Sequence, residues 1–187
     1  MDNYSPTEYT AFYNRAEQAV FADYIILMAY DEHYSGSPEA GSVASIGFVS
    51  EGIANTLLEV PADQLILGMP FYTRVWSEAP AAADAENPDT STDGAAPIEL
   101  SCYSAGMKEI QNLINTNGAV PVWSEETKQY YVEYVNNGVT YKIWMEDATS
   151  LEEKLKVMQQ NQLAGGAFWK LGLETSNVWD TIIKYIN

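Results

Sequence analysis

Three short runs carry polar and aromatic side chains at the point where an apolar segment ends. They are Met28-Ala29-Tyr30-Asp31, Gly68-Met69-Pro70-Phe71-Tyr72-Thr73-Arg74 and Phe168-Trp169-Lys170. In parallel α/β architectures the chemistry collects at the carboxyl ends of the strands. Alternation along an extended chain puts Met28 and Tyr30 on one face of their segment and groups Ala167 with Trp169. The convergent set is a tyrosine hydroxyl, a carboxylate, a guanidinium and a large indole. It is poor in phosphate-cradling glycines and in metal ligands. It suits a sugar ring, whose C–H face lies on an indole while Tyr and Asp hydrogen-bond its hydroxyls or an amide.

Each of these residues has a plainer reading. Trp169 and Met28 taken singly are core residues, and Tyr30 alone is a core tyrosine with a satisfied hydroxyl. Arg74 is one of two arginines, and an ion pair with a nearby carboxylate competes with a ligand contact. Asp31-Glu32-His33 resembles a metal site, yet one histidine beside two loop carboxylates reads more simply as a solvated turn. Tyr130, Tyr131, Tyr134 and Tyr141 read as cross-strand partners, and Trp76 and Trp144 as packing residues.

Composition narrows the function classes. The chain has 187 residues, 47% hydrophobic and 12% aromatic, enough for a packed core and too much for intrinsic disorder. Its 26 acidic and 9 basic residues leave a net charge of −17. A surface that acidic repels phosphate backbones and anionic headgroups, which argues against nucleic-acid and membrane partners. No apolar run approaches the roughly 18 residues of a membrane span. The single cysteine, Cys102, excludes an internal disulfide and a Cys-based zinc site. Asp2 to Tyr13 is polar and aromatic, so an export signal is expected outside this chain.

The elements that must position the candidate residues are legible in outline. Ser5-Pro6-Thr7-Glu8 is a capping box opening a helix with Tyr9, Phe12, Tyr13, Ala16 and Val20 on one face. Tyr24 to Tyr30 reads as a strand covered on both faces. After a Gly/Ser/Pro loop over 34–42, Ile46, Val49, Ile53 and Leu57 mark a second helix closed by Pro61. Gln64 to Pro70 is a second buried strand, completing a βαβ rhythm. From Ser77 to about Ala96 the pattern dissolves into an acidic loop. Residues 97–145 read as an α+β insertion: a helix with Met107, Ile110, Leu113 and Ile114 stopping at Asn117-Gly118, then strands around 120–123, 128–135 and 139–145, the last two joined at Asn136-Asn137-Gly138. Ser150 is expected to cap a helix carrying Leu151, Leu155 and Met158. Gly165 to Trp169 is a third buried strand, and a last helix from Ser176 is expected to bury Trp179, Ile182, Ile183 and Ile186. Three parallel strands are too few for a closed barrel of eight. The pattern is that of an incomplete α/β unit with an insertion before its last strand.

The motifs themselves resemble one family. Met28-Ala29-Tyr30-Asp31 is similar to the M-x-Y-D motif on the sixth strand of glycoside hydrolase family 18, the chitinase-like enzymes. Leu67 to Arg74 resembles the seventh strand, usually G-x-P-x-Y-G-R, with Tyr72 and Arg74 at its polar positions. Glu146-Asp147-Ala148-Thr149-Ser150 with Lys154 resembles the D-D-x-x-S-x-x-x-K run before strand eight. Gly165 to Trp169 is similar to the last strand, whose tryptophan floors a sugar subsite. Asp31 to Ser37 is similar in flavour to bacterial spore-cortex and cell-wall lytic N-acetylglucosaminidases.

The resemblance implies an α/β fold, the C-terminal portion (about strands six to eight) of a (β/α)8 barrel. Residues 1–76 and 146–187 would form the partial barrel, 77–96 an acidic loop and 97–145 the insertion. It implies a retaining, substrate-assisted hydrolase of β-1,4-linked N-acetylglucosamine polymers, needing neither metal nor cofactor. The 2-acetamido carbonyl attacks the anomeric carbon while a glutamic acid protonates the leaving oxygen. Tyr30 and Asp31 would be the catalytic positioning pair, and Met28, Tyr72, Arg74 and Trp169 would bind the sugar. The family's D-x-x-D-x-D-x-E run, which supplies the acid on strand four, occurs nowhere in the 187 residues. The chain is therefore expected to start near the helix before strand six, to be inactive alone, and to self-associate through its open edge. The expected setting is extracytoplasmic, at a bacterial cell wall or spore envelope. A non-catalytic chitinase-like carbohydrate-binding protein is the alternative, and an unrelated small α/β domain with Trp169 in its core is a third.

Overall fold

The computed structural model describes residues 14–80 and 98–186. The expected capping box at Ser5 to Glu8, with Tyr9, Phe12 and Tyr13, lies outside them, as does most of the acidic loop. The first described helix, α1 (Arg15–Phe21), starts from Asn14, whose extended backbone and side chain, accepting from the Glu17 N–H, cap it locally.

The three runs expected to be parallel strands form one sheet. β1 (Ile25–Met28), β2 (Leu65–Pro70) and β8 (Gly165–Trp169) pair in parallel in the order β1-β2-β8. α2 (Ile46–Thr56) makes the crossover from β1 to β2, with Ser45 as its cap. α4 (Ala148–Gln160) and α5 (Asn177–Ile182) cover the same face. Leu27, Leu65, Leu67 and Met69 pack there with Val49, Ile53, Leu151, Leu155, Val178 and Ile182. At about 25 cal/mol per Å² of apolar area removed from water, this face supplies most of the drive to order the sheet.

The other face of the sheet is open among the described residues. Ile26 is 55% exposed and Met28 62%, so β1 is not covered on both faces as its continuous apolar run suggested. The helices reach only one side of it, and a run of apolar residues does not say which of its two faces has a covering layer.

The chain leaves the parallel sheet at Phe71 and enters a second one. β3 (Tyr72–Pro80), β4 (Ile98–Gly106), β5 (Val122–Ser124), β6 (Gln129–Asn136) and β7 (Val139–Met145) form an antiparallel sheet in the order β4-β3-β7-β6-β5. α3 (Met107–Asn117) packs on it through Ile110 and Ile114 against Val75, Val132 and Ile143, and ends at left-handed Gly118 as Asn117-Gly118 foretold. Tyr134 and Tyr141 face each other at register partners with ring centroids 5.0 Å apart. The stretch expected to be loop from Ser77 is strand as far as Pro80, paired residue for residue with β4 from Ile98. The β3 end, Ser77-Glu78-Ala79-Pro80, does not alternate apolar with polar residues, and the alternation at Ile98-Glu99-Leu100 is only three residues long; backbone pairing holds both ends.

Two boundary expectations also shift. Asp147, not Ser150, caps α4: its Oδ1 accepts from the N–H groups of Thr149 and Ser150, while the Ser150 hydroxyl accepts from Asp147 N–H at 3.0 Å. Ser150 closes that capping box from the third helical position. In α5 the buried residues are Val178, Thr181 and Ile182; Trp179 is only partly covered, and Ile183 and Ile186 are exposed. Val178, Thr181 and Ile182 stand at i, i+3 and i+4 and so form the one inward face of this six-residue helix.

Candidate functional site

β1 ends at Met28; Ala29 is fully buried, and Tyr30, half-buried, packs against the edge of the same core. Asp31 follows in the left-handed region at φ 61°. That turn, unusual for a non-glycine residue, aims its carboxylate at β3. Asp31 Oδ1 accepts from the Tyr72 hydroxyl at 2.6 Å and from Arg74 Nη2 at 2.8 Å. Arg74 Nε donates to the His33 carbonyl at 3.0 Å, and Nη1 donates to Ser104 Oγ at 3.4 Å. The guanidinium is therefore committed to an ion pair, one bond to the loop after β1 and one bond across the antiparallel sheet to β4. The Tyr30 ring meets Tyr72 edge-on at 6.2 Å.

These contacts set the ionisation. Burial first, then the bond to Asp31, push the Tyr72 phenol well above its ordinary value. Burial, with the Asp31 charge second, raises Tyr30 as well. Both hydroxyls stay protonated donors at physiological pH.

Trp169 stands at the end of β8 with 57% of its surface exposed. Its carbonyl accepts from Phe71 N–H at 2.7 Å, which fixes it beside the junction of the two sheets, and its peptide bond to Lys170 is cis. A cleft of about 360 Å³ opens between it and the antiparallel sheet, lined by Tyr72, Arg74, Ser104, Glu109, Trp169 and Leu173. Of the residues expected to act, Tyr72, Arg74 and Trp169 share this cleft. Asp31 is tied to it through hydrogen bonds, Tyr30 through its ring contact. Met28 lies on the open face of β1, outside the cleft. Ser104 and Glu109 had no signal in the sequence: one exposed glutamate among 26 acidic residues belongs to no motif.

The Asp31-Glu32-His33 turn is structural. Glu32 accepts from Ser45 N–H and Oγ at the start of α2, and His33 Nδ1 lies 2.9 Å from the Ser42 carbonyl. No group of three or more His, Cys, Asp and Glu among the described residues is placed to hold a metal ion. Trp76 is buried and donates its indole N–H to the Gly41 carbonyl, a packing role.

Beneath the site lies a fully buried polar cluster. Glu146 receives Lys154 Nζ on both oxygens at 2.9 Å, Ser150 Oγ at 2.8 Å and Gln129 Nε2 at 2.7 Å. Burial raises the Glu146 carboxyl from its ordinary value, against the pull of Lys154.

An α/β sheet with a cleft at its carboxyl ends, an exposed indole and a Tyr–Asp–Arg cluster define a chitinase-like scaffold. Comparison with known proteins agrees. The family profile "Glycosyl hydrolases family 18" matches residues 3–174. Relatives include the uncharacterized glycosylase YvbX of Bacillus subtilis, 25% identical over 92% of this chain and 45% of its own length. The cortical fragment-lytic enzyme of the same organism is 26% identical over 84% of this chain and 33% of its length. Among solved structures, the C-terminal domain of a putative chitinase from Desulfitobacterium hafniense superposes with a TM-score of 0.75 at 21% identity, covering 92% of this chain and 48% of that one. Human YKL-39, described as a pseudo-chitinase with retained chitooligosaccharide binding properties, has a TM-score of 0.71 at 18% identity, over 92% and 53%. The chain belongs to glycoside hydrolase family 18. It spans less than half the length of the curated relatives named here.

Proposed function

We propose that this chain forms part of the binding groove of a retaining glycosidase acting on polymers of β-1,4-linked N-acetylglucosamine, in peptidoglycan, spore cortex or chitin. The observation that carries the reading is the exposed Trp169 indole in one cleft with Tyr72 and Arg74, both of which grip Asp31. In this reading β1, β2 and β8 are strands six to eight of a (β/α)8 barrel, and the antiparallel sheet with α3 is the insertion. Trp169 stacks under the sugar. Tyr30, a protonated donor beside Tyr72, hydrogen-bonds the acetamido oxygen and holds it in line with the anomeric carbon. Asp31 positions the same group while Tyr72 and Arg74 hold Asp31, and Met28 lines the inner face.

The acid that must protonate the leaving oxygen is not among the 187 residues, which carry no D-x-x-D-x-D-x-E run. Loss of general acid catalysis alone costs about 10²–10⁴ in rate. The chain alone is inactive, and the setting in which it acts is extracytoplasmic. Titrating an N-acetylglucosamine tetrasaccharide while following tryptophan indole N–H resonances tests the binding half: Trp169 responds, and Trp169→Ala weakens binding more than about tenfold. Unchanged affinity in that variant would sink the reading. Turnover of chitin oligosaccharides by the chain alone would sink the inactivity.

A second reading, a non-catalytic carbohydrate-binding protein, is favoured by likeness to a pseudo-chitinase that retains oligosaccharide binding. The coding sequence upstream separates the two: a D-x-x-D-x-D-x-E run ahead of Met1 supports the hydrolase, and a replaced glutamate supports the binding protein.

A further inference from the structure

Gln129 opens β6, on the antiparallel sheet, and is fully buried. A buried side chain in a sheet is ordinarily apolar, because an amide left unpaired there is costly. Here both ends of the amide are used. Its Oε1 accepts from Ser42 Oγ at 2.6 Å, and its Nε2 donates to Glu146 Oε1 at 2.7 Å. Ser42 is 87 residues away in sequence, in the loop that follows Asp31.

Each bond leads to the site. On one side, the Ser42 carbonyl accepts from His33 N–H at 3.1 Å and lies 2.9 Å from His33 Nδ1. The His33 carbonyl in turn accepts from Arg74 Nε, and Arg74 holds Asp31. On the other side, Glu146 is locked by Lys154 and Ser150, and its N–H donates to Thr73 Oγ1 at 2.8 Å. Thr73 is buried and sits between Tyr72 and Arg74. The two arms thus meet at residues 72–74 of β3, from opposite directions. A separate backbone bond, Ile46 N–H to the Thr127 carbonyl at 3.1 Å, ties the same loop to the same strand start.

We infer that Gln129 is a positioning residue through which the antiparallel sheet sets the Asp31–Arg74–Tyr72 cluster. The inference rests on the groove proposed above. The insertion then does more than wall the cleft: it fixes the distance between the turn after β1 and the start of β3. Nothing else among the described residues hydrogen-bonds both Ser42 and Glu146. Removing the amide takes away the acceptor of the Ser42 hydroxyl, leaving only its bond from Ala44 N–H at 3.0 Å to hold Ser42, and so loosens the residue whose carbonyl anchors His33 and, through it, Arg74.

His33 is the only histidine in the chain, so its imidazole proton resonance reports the loop alone. Gln129→Met keeps the length and removes both bonds. Thr73→Val removes the second arm, and Thr73→Ser restores its acceptor. Ile114→Ala, in the core of the same insertion but off this network, is the control for lost stability. Each is measured below its own unfolding range, with the N-acetylglucosamine tetrasaccharide as ligand. The expected result is a displaced His33 signal in Gln129→Met and about tenfold weaker binding in Gln129→Met and Thr73→Val. Thr73→Ser stays within about twofold of the parent, and Ile114→Ala changes neither readout. An unmoved His33 with unchanged affinity in Gln129→Met overturns the inference, as does an equal loss in Ile114→Ala. If Gln129→Met fails to fold, the Thr73→Val and Thr73→Ser pair decides: equal affinities overturn it. If the parent binds no oligosaccharide, the groove reading fails by itself, and the His33 shift still decides the positioning role.

Discussion

At the scale of residues, Tyr72 and Lys154 illustrate opposite uses of a buried polar group. Tyr72 donates to Asp31 and keeps its proton in the folded chain above the ordinary tyrosine value of 10.0. In the unfolded chain it ionises near that value. Above pH 10 the unfolded state therefore holds fewer protons, and stability, fully present below that pH, declines as pH rises. Tyr72→Phe is expected to flatten this alkaline decline, measured by denaturant titration between pH 8 and pH 11; an unchanged slope would contradict it. Lys154 lies with Glu146 in a pair that is almost wholly out of water. Lys154→Met leaves a buried carboxylate without its counter-charge and should cost about 3–5 kcal/mol, whereas Lys154→Met combined with Glu146→Leu should recover only part of it, because Gln129 Nε2 and Ser150 Oγ then lose their acceptor. Equal losses in the single and double variants, read from urea unfolding, would count against that account. The chemical types at the site could be read from sequence because Tyr, Asp, Arg and Trp stand at strand ends. That Arg74 is spent on Asp31, His33 and Ser104 could not, since it depends on a turn at Asp31 that no periodicity announces.

At the scale of elements, the capping of α4 is the informative case. Asp147 accepts two N–H bonds and Ser150 returns one, closing a reciprocal box three residues ahead of the serine that the pattern suggested as cap. Asp147→Ala should cost about 1 kcal/mol of stability, while Glu153→Ala, the partner of a mistaken Ser150 cap, should cost less than about 0.5 kcal/mol. Thermal unfolding of the two variants checks the order, and a reversal would place the cap at Ser150 after all. Helices α2, α3 and α4 were legible because their apolar faces recur at helical spacing and glycine or proline ends two of them. The outer halves of β3 and β4 were not, because Ser77-Glu78-Ala79-Pro80 carries no apolar alternation and the short alternation at Ile98-Glu99-Leu100 adjoins an acidic Ala/Pro-rich stretch; their pairing with each other, and of Ser77 and Glu78 with β7, makes them strands.

At the scale of the whole molecule, the two outer strands of the parallel sheet, β1 and β8, have no second neighbour among the described residues, and β1 exposes Ile26 and Met28. An apolar sheet face with open edges invites pairing. A net charge of −17 opposes it at long range, and salt screens that repulsion over about 8–10 Å. Self-association of the isolated chain should therefore strengthen as salt is raised from low to moderate concentration, and Ile26→Lys should weaken it. Sedimentation velocity gives the answer; a monomer at every ionic strength would refute it.

The sequence alone determined the family, the βαβ order and the residue types that stand at the strand ends. All of these are carried by local patterns: apolar periodicity, turn residues and short motifs at strand ends. The tertiary structure decided which of those residues meet. It tied Asp31 to Tyr72 and Arg74 across 41 and 43 residues, brought Ser104 and Glu109 into the cleft with Trp169, and joined Ser42 to Glu146 through Gln129. Those contacts depend on which strands pair and in what register, and on which face of β1 the helices leave uncovered. No window of sequence contains that information, because it arises from burial of the whole chain.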